Sequence, residues 1–283
     1  MVLTRRAYKS ITRWLPNEIL SEVVQWVTPP DLVALCQTSH LMKGIATPLL
    51  YRAVSLSKIS GMKRFITTME RHANDPVSKA EHVRQFCIHQ FAPNIPENIL
   101  QKITLVLSYF SRLTSLQLFS LNNHFPELLR TAHFPSLTDF RCHVLPRLSS
   151  SLSSFLNRHQ TITDLYLCRI FDDAMPTLDH IHLPNLHTIS MPGSFIPCLV
   201  HDDTNVVIMC IFWFPDQLDN VEIALPALCR LSSADKHALD AHCDRSHEPW
   251  FIGLAAKNMP DVCVLTCHKL GNLAGRVTPN QVV

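Results

Sequence analysis

The stretch LTSLQL, Leu113–Leu118, carries leucine at its first, fourth and sixth positions and threonine at its second. Leu116 and Leu118 are two residues apart, the spacing that puts both on one face of an extended strand. The pattern returns as LTDFRC from Leu137, ITDLYL from Ile162 and LHTISM from Leu186, in steps of 24, 25 and 24 residues. Such an interval holds one short strand and one return helix, and neighbouring units must stack to bury the apolar side that a single unit leaves open. Working outward, VRQFCI from Val83 fits as the first strand, and LDNVEI from Leu218 and VCVLTC from Val262 fit as later members after longer insertions.

A lead-in recurs before these strands: FPSL, LPNL, LPAL and MPDV each set proline two residues ahead of the first apolar strand position. Proline fixes the approach angle and brings no N–H that would need a partner there. PENILQKITLVLSYF, FPELLRTA, SLSSFLNRH and WFIGLAAKN read as the return helices. The period lies in the range of leucine-rich repeats. The run VVIMCIFWF, Val206 to Phe214, is apolar throughout, so it is expected as one more strand of the ladder, buried on both faces or lying centrally in the stack.

The chain has 283 residues, 47% hydrophobic and 17% charged, with a formal net charge of +2. It can bury a substantial core, and the charge is too mild to point to nucleic acid or a membrane surface. Its 10 cysteines are scattered among apolar neighbours, as in QFCIHQF and DLYLCRI, and read as reduced core residues. No apolar run of signal-peptide or membrane-spanning length is present, so a soluble protein of the cytoplasm or nucleus is expected.

Ahead of the repeats, RWLPNEILSEVVQWVTPPDLVALCQTSHLMKGIATPLLY, Arg13 to Tyr51, holds three apolar helical segments. Leu15, Ile19, Leu20, Val23, Val24 and Val27 form one broad apolar face, and Pro16 suits a first turn. Pro29 and Pro30 stop that helix and Asp31 opens the next, with Leu32, Val33, Leu35 and Cys36. Met42, Ile45, Ala46, Leu49 and Leu50 gather on a third, with Pro48 near its end. Three short helices in about forty residues bury too little surface to be comfortable alone.

LPNEIL followed by PPDLVALCQTSHLMKGIATPLLY resembles an F-box, the helical module that docks on the Skp adaptor of cullin-based ubiquitin ligases. Leu15, Pro16, Ile19 and Leu20 fall on its opening motif, Asp31, Leu32 and Leu35 on its middle, and Ile45 and Ala46 on its closing helix. The resemblance implies that these nine residues bind the adaptor. Where the family often has V-C-K-x-W, this chain has Thr38, Ser39, His40, Leu41 and Met42, so methionine replaces the usual tryptophan. Imperfect repeats behind such a module are similar to the expanded F-box proteins of basidiomycete fungi. The expected architecture is α/β: a tail over 1–12, a three-helix F-box over 13–57, an irregular leucine-rich-repeat-like solenoid for substrate binding over 58–270, and a frayed tail over 271–283.

The chemistry-bearing clusters are sparse. His242, Cys243 and His247, with Cys263, Cys267 and His268, include the ligand types of a zinc site, but as strand positions the cysteines are explained by packing. His180 and His182 are expected in a solvated loop. The serine run in RLSSSLSSFL reads as a helix start or a flexible turn. No CxxC pair and no phosphate-cradling glycine loop occurs, and no local signature of an activated nucleophile surrounds any cysteine. The expectation is a non-catalytic protein with no cofactor or metal.

The resemblance implies a substrate-recognition subunit of an SCF-type cullin-RING ubiquitin ligase, with the Skp adaptor and an unidentified protein substrate as partners, neither nucleic acid nor membrane. The alternatives are a non-degradative repeat scaffold capped by the helices, and a hydrolase hidden in an irregular repeat. Alternation along the strands turns Ser115, Gln117, Phe119, Asp139, Arg141, His143, Asp164, Tyr166, Thr188, Ser190, Asp219, Asn220 and Glu222 away from the core. Among these, Gln117, Phe119, Arg141, His143, Tyr166 and Ser190 are the candidate substrate contacts.

Overall fold

In the computed structural model the described residues are 16–71, 79–90, 95–120, 125–144, 149–169, 178–199, 206–212, 224, 226–227, 237–243, 252–253, 257 and 262–269. Three helices come first: α1 (Asn17–Val24), α2 (Pro29–Thr38) and α3 (His40–Arg52). Local chemistry sets their ends. Pro16 precedes α1, and Pro29 and Pro30 occupy the first turn of α2, where an N–H would have no helical partner. Ser39 is extended, ends α2, and caps α3 by accepting the Met42 N–H on its Oγ at 3.1 Å. The residue at the family's tryptophan position thus takes part in a cap, and its side chain packs against the core of the unit.

The helix α3 runs straight into strand β1 (Ala53–Leu56), followed by α4 (Ile59–Arg71), β2 (Gln85–Gln90), α5 (Glu97–Leu107), β3 (Ser115–Ser120), α6 (Phe125–Thr131), β4 (Asp139–Val144), α7 (Ser149–Arg158), β5 (Asp164–Arg169), β6 (Thr188–Pro192), β7 (Ile208–Phe212), β8 (His237–Cys243) and β9 (Val262–Lys269). The strands form one sheet in sequence order, and every neighbouring pair is parallel. Parallel neighbours need a crossover, and α4 to α7 supply it between the early strands.

The recurring sequence pattern has a structural counterpart at each strand entry. A tight turn joins the N–H of Leu113 to the Phe110 carbonyl, Leu137 to Phe134, Ile162 to His159 and Leu186 to Leu183. In FPSL and LPNL the proline takes the second turn position, where its fixed φ fits. Next comes a ladder of shared carbonyls. The Arg84 oxygen accepts the N–H groups of Thr114 and Ser115, the Thr114 oxygen those of Thr138 and Asp139, and the Thr138 oxygen those of Thr163 and Asp164. The hydroxyls of Thr114, Thr138 and Thr163 donate to the same three oxygens. The threonine in the second position of the first three motifs therefore ties one unit to the previous one, and in the fourth, where His187 stands there, the backbone alone continues the ladder through the Thr163 oxygen.

The main core lies between helices and sheet. Met62, Ile66 and Met69 of α4 and Ile99, Ile103 and Val106 of α5 meet Phe86, Ile88, Leu116 and Leu118, and later Phe140, Cys142, Leu165, Leu167, Ile189, Met191, Met209 and Ile211 continue the inward row. Helix α3 bridges this core and the helical unit's own: Leu49 and Leu50 pack on the small core of the unit, Tyr51 on the large one.

His159 stands in the turn position that Phe110, Phe134 and Leu183 hold in other units, and it is buried. Its Nε2 accepts the Phe134 N–H at 2.9 Å, so the ring proton belongs on Nδ1, which faces the Phe155 carbonyl at 2.7 Å. Burial pushes its pKa down from 6.5 to about 4, against the pull of the Phe155 carbonyl, with His133 and Arg158 adding to the decrease. Since the folded pKa is depressed, the unfolded chain takes up a proton first as pH falls. The stability contribution is complete above 6.5 and is lost progressively between 6.5 and about 4. Urea unfolding across that window should show a loss, with His159 contributing up to about 3 kcal/mol, and His159→Gln, which cannot titrate, should flatten the slope.

Several sequence expectations need correction. The first strand is β1, not the segment from Val83, because Arg52 already offers its carbonyl to the Arg84 N–H and begins the ladder. The apolar run from Val206 forms a ladder strand, β7, and of the two expected placements it takes the central one, between β6 and β8, and not burial on both faces: Met209 and Ile211 are buried, while Ile208 is 47% exposed. Helix α4 and strand β8 had no counterpart in the sequence reading. Of the cysteines expected in the core, Cys142 is buried there, but Cys87 and Cys168 alternate with the inward residues and lie on the opposite face. The segment LDNVEI lies outside the described residues, as does most of WFIGLAAKN.

Candidate functional site

Two surfaces gather the candidate residues. On the helical unit, α1 divides its apolar residues into two sectors. Val24 is buried with Leu32 and Ala46, Val27 packs on them, and Leu20 is buried as well. The other sector faces outward: Ile19 is 47% exposed, Val23 59% and Trp26 89%, with Val33 of α2 at 44%. Pro16 and Asp31 are exposed too, and Asp31 accepts the Thr28 hydroxyl at 2.6 Å. Leu35 and Ile45 are half-buried against the unit's core. Of the nine residues matched to the adaptor motif, Pro16, Ile19 and Asp31 are thus open to a partner, Leu20, Leu32 and Ala46 are spent on the chain's own packing, and Leu15 lies outside the described residues.

Val23, Trp26 and Val33 join Ile19 on this surface, and the motif alone does not select them. The signal was present nonetheless. At about 100° per residue, Trp26, Ile19, Val23, Val27, Leu20 and Val24 span an arc of about 160°. A stripe that wide exceeds what one core contact covers.

The second surface is the face of the sheet opposite the helices. Its outward residues fall into rows across the strands because the register is parallel and even. A chain of rings crosses the face, with Tyr166, the register partner of Arg141, one outward position nearer the strand starts than His143: His89 stacks on Phe119 at 5.4 Å between centroids, Phe119 meets His143 at 5.1 Å and Tyr166 at 6.1 Å, and Tyr166 meets Phe212 at 6.2 Å. Burial lowers the pKa of His89, and lowers that of His143 to about 4 with His89 assisting, so the row is uncharged at neutral pH. The Nδ1 of His143 is buried without a hydrogen-bond partner among the described residues.

Toward the strand starts the face is polar. Asp139 accepts Arg141 Nε at 3.0 Å and the Ser115 hydroxyl at 2.8 Å, and Gln117 donates to Ser115 at 3.4 Å. Ser115, read as outward-facing, is buried by this network. Asp164, the register neighbour of Asp139, accepts the Thr163 hydroxyl at 2.7 Å. Gln117, Phe119, Arg141, His143 and Tyr166 therefore belong to one continuous surface, with Ser190 in register beside Tyr166. Sequence reasoning missed His89 and Phe212, although the alternation of QFCIHQ and IMCIF points both to the same face as Phe119. Asp219, Asn220 and Glu222 lie outside the described residues.

The thiols on and under the sheet are held protonated. Burial pushes Cys87 and Cys142 up to about 12 and raises Cys168 and Cys198, and it raises the Tyr166 phenol. A nucleophile needs the opposite shift. No cluster of three metal-ligating side chains occurs among the described residues. His242 of β8 and His268 of β9 are register partners, and Cys267 pairs with Ala241, while His247 lies outside the described residues. The backbone around His180 and His182 is pinned by Asn157, which donates to the His180 carbonyl and accepts the His182 N–H. His180 is exposed and His182 half-buried, in the loop before LPNL as expected.

Residues 13–49 match the family model of the F-box domain. The match spans α1, α2 and most of α3. No curated protein matches the chain. No helix among the described residues is long and apolar enough to cross a membrane.

Proposed function

We propose that the chain is the substrate-recognition subunit of an SCF-type cullin-RING ubiquitin ligase, binding the Skp adaptor through its helical unit and a protein substrate through the helix-free face of its sheet. The observation that carries this reading is the coincidence of the F-box match with a helical unit that leaves Ile19, Val23, Trp26 and Val33 exposed. Exposed apolar residues grouped on so small a module are what an obligate partner covers.

The region over 58–270 is read as an irregular leucine-rich-repeat-like solenoid, supported by the sequence-order parallel sheet and the 24- to 25-residue motif steps. In such an arrangement the chain supplies proximity and orientation for ubiquitin transfer to a substrate marked for degradation, and contributes no bond-making group of its own. Its working compartment is the cytoplasm or nucleus. The competing reading is a scaffold whose helices only cap the sheet, and the direct run of α3 into β1 suits it as well.

Co-purification with the Skp adaptor separates the two. Capture by the wild-type chain, lost in the Leu15→Ala/Pro16→Ala variant with the melting transition unchanged, is the expected result. A folded wild-type chain that captures no adaptor establishes the scaffold instead.

A further inference from the structure

Resting on the reading of the sheet face as the substrate surface, we propose that this face takes a short extended peptide segment that pairs an aromatic or aliphatic residue with a lysine or arginine about four residues away. The ring row of His89, Phe119, His143, Tyr166 and Phe212 crosses from β2 to β7, roughly 24 Å at the ordinary strand spacing. Its half-buried rings leave part of their π surface open to an apolar side chain, and aromatic anchors dominate binding at such surfaces.

At the other end of the face the charges do not balance. Arg141 is committed to Asp139, and no cation among the described residues pairs with Asp164 beside it. Two carboxylates against one guanidinium leave a negative end, complementary to a basic side chain. Along β5, Tyr166 stands two residues from Asp164, and the register level of His143, marked on β5 by Cys168, four residues from it, about 13 Å of extended chain. A peptide lying along the strand direction with the same spacing reaches both. A phosphorylated segment or a nucleic acid meets the carboxylates instead, and would have to draw Arg141 away from Asp139.

The test is a selection of randomised displayed decapeptides on the full-length purified chain, followed by fluorescence anisotropy with the enriched peptide. Enriched sequences should set an apolar residue three to five positions from lysine or arginine. Phe119→Ser and Asp164→Lys should each weaken the peptide at least about tenfold, and Asp164→Lys should recover binding when the peptide's basic residue is changed to glutamate. Enrichment of acidic sequences, no enrichment, or binding indifferent to both substitutions overturns the proposal. Adaptor capture is read on the same preparations: it should persist in Phe119→Ser and Asp164→Lys, so failure of the peptide reading and failure of the ligase reading appear separately.

Discussion

Changing Ile19 to lysine and Trp26 to alanine together should weaken adaptor capture by about a hundredfold, close to 3 kcal/mol of binding free energy, and leave the melting temperature of the chain where it was. Trp26 is 89% and Ile19 47% exposed, and neither belongs to the chain's own cores, so their loss removes little internal packing. Tryptophan is the residue type most enriched among binding hot spots, and a lysine at the Ile19 position would have to be desolvated under the partner. Leu32→Ala makes the control. Leu32 is buried against Val24 and Ala46, and its truncation should lower the stability of the helical unit. Isothermal titration with purified adaptor beside a thermal melt distinguishes the cases. Equal losses of binding and stability in both variants would show that the exposed sector is not the docking surface.

Phe155→Ala should cost about 3–5 kcal/mol of folding stability, a large share of what a domain of this kind has in hand. Phe155 is fully buried and touches Phe140 at 4.8 Å, His159 at 4.1 Å and Phe134 at 6.4 Å between ring centroids. It also offers its carbonyl to His159, whose other nitrogen holds the entry turn of the preceding unit. The cavity would open at the joint between successive units, where packing and hydrogen bonding depend on each other. Urea unfolding should show the midpoint displaced far more than for Leu105→Ala, since Leu105 is half exposed on α5. A displacement no larger than that of the Leu105 variant would mean the units are not coupled through this ring cluster.

The parts of the architecture legible in sequence are those written in neighbouring residues. Leu116 and Leu118, Phe140 and Cys142, and Leu165 and Leu167 alternate along their strands, and all six are buried as the period of two requires. Pro135 and Pro184 foretell the entry turns, and Ser39 and Pro29 the helix ends. The errors share a cause. In the run from Val206, apolar composition suggested burial on both faces or a central place in the stack, and only the second holds, since Ile208 stays 47% exposed on the helix-free face. Cys87 and Cys168 looked like core residues from their neighbours, although those same neighbours, Phe86 and Leu167, force the cysteines to the other side.

The candidate site was less legible. Ile19 and Trp26 belong to the same broad apolar arc as Leu20 and Val24, and nothing local says which sector the chain keeps for itself. That choice follows from where α2 and α3 come to rest, with Leu32 and Ala46 packed against Val24. The ring row is a similar case, because His89, Phe119, His143, Tyr166 and Phe212 come from five strands up to 123 positions apart.

By itself the sequence determined the helical unit, the period of the strands and the inward half of β2 to β6, because helix and strand periodicity are carried by residues within a few positions of one another. Only the tertiary structure decided which apolar residues stay exposed and which rings meet across the sheet. Those outcomes depend on register, held here by carbonyls such as Thr114 and Thr138 that each take two N–H groups from the next unit. Such pairings between distant residues are settled by the packing of the whole chain.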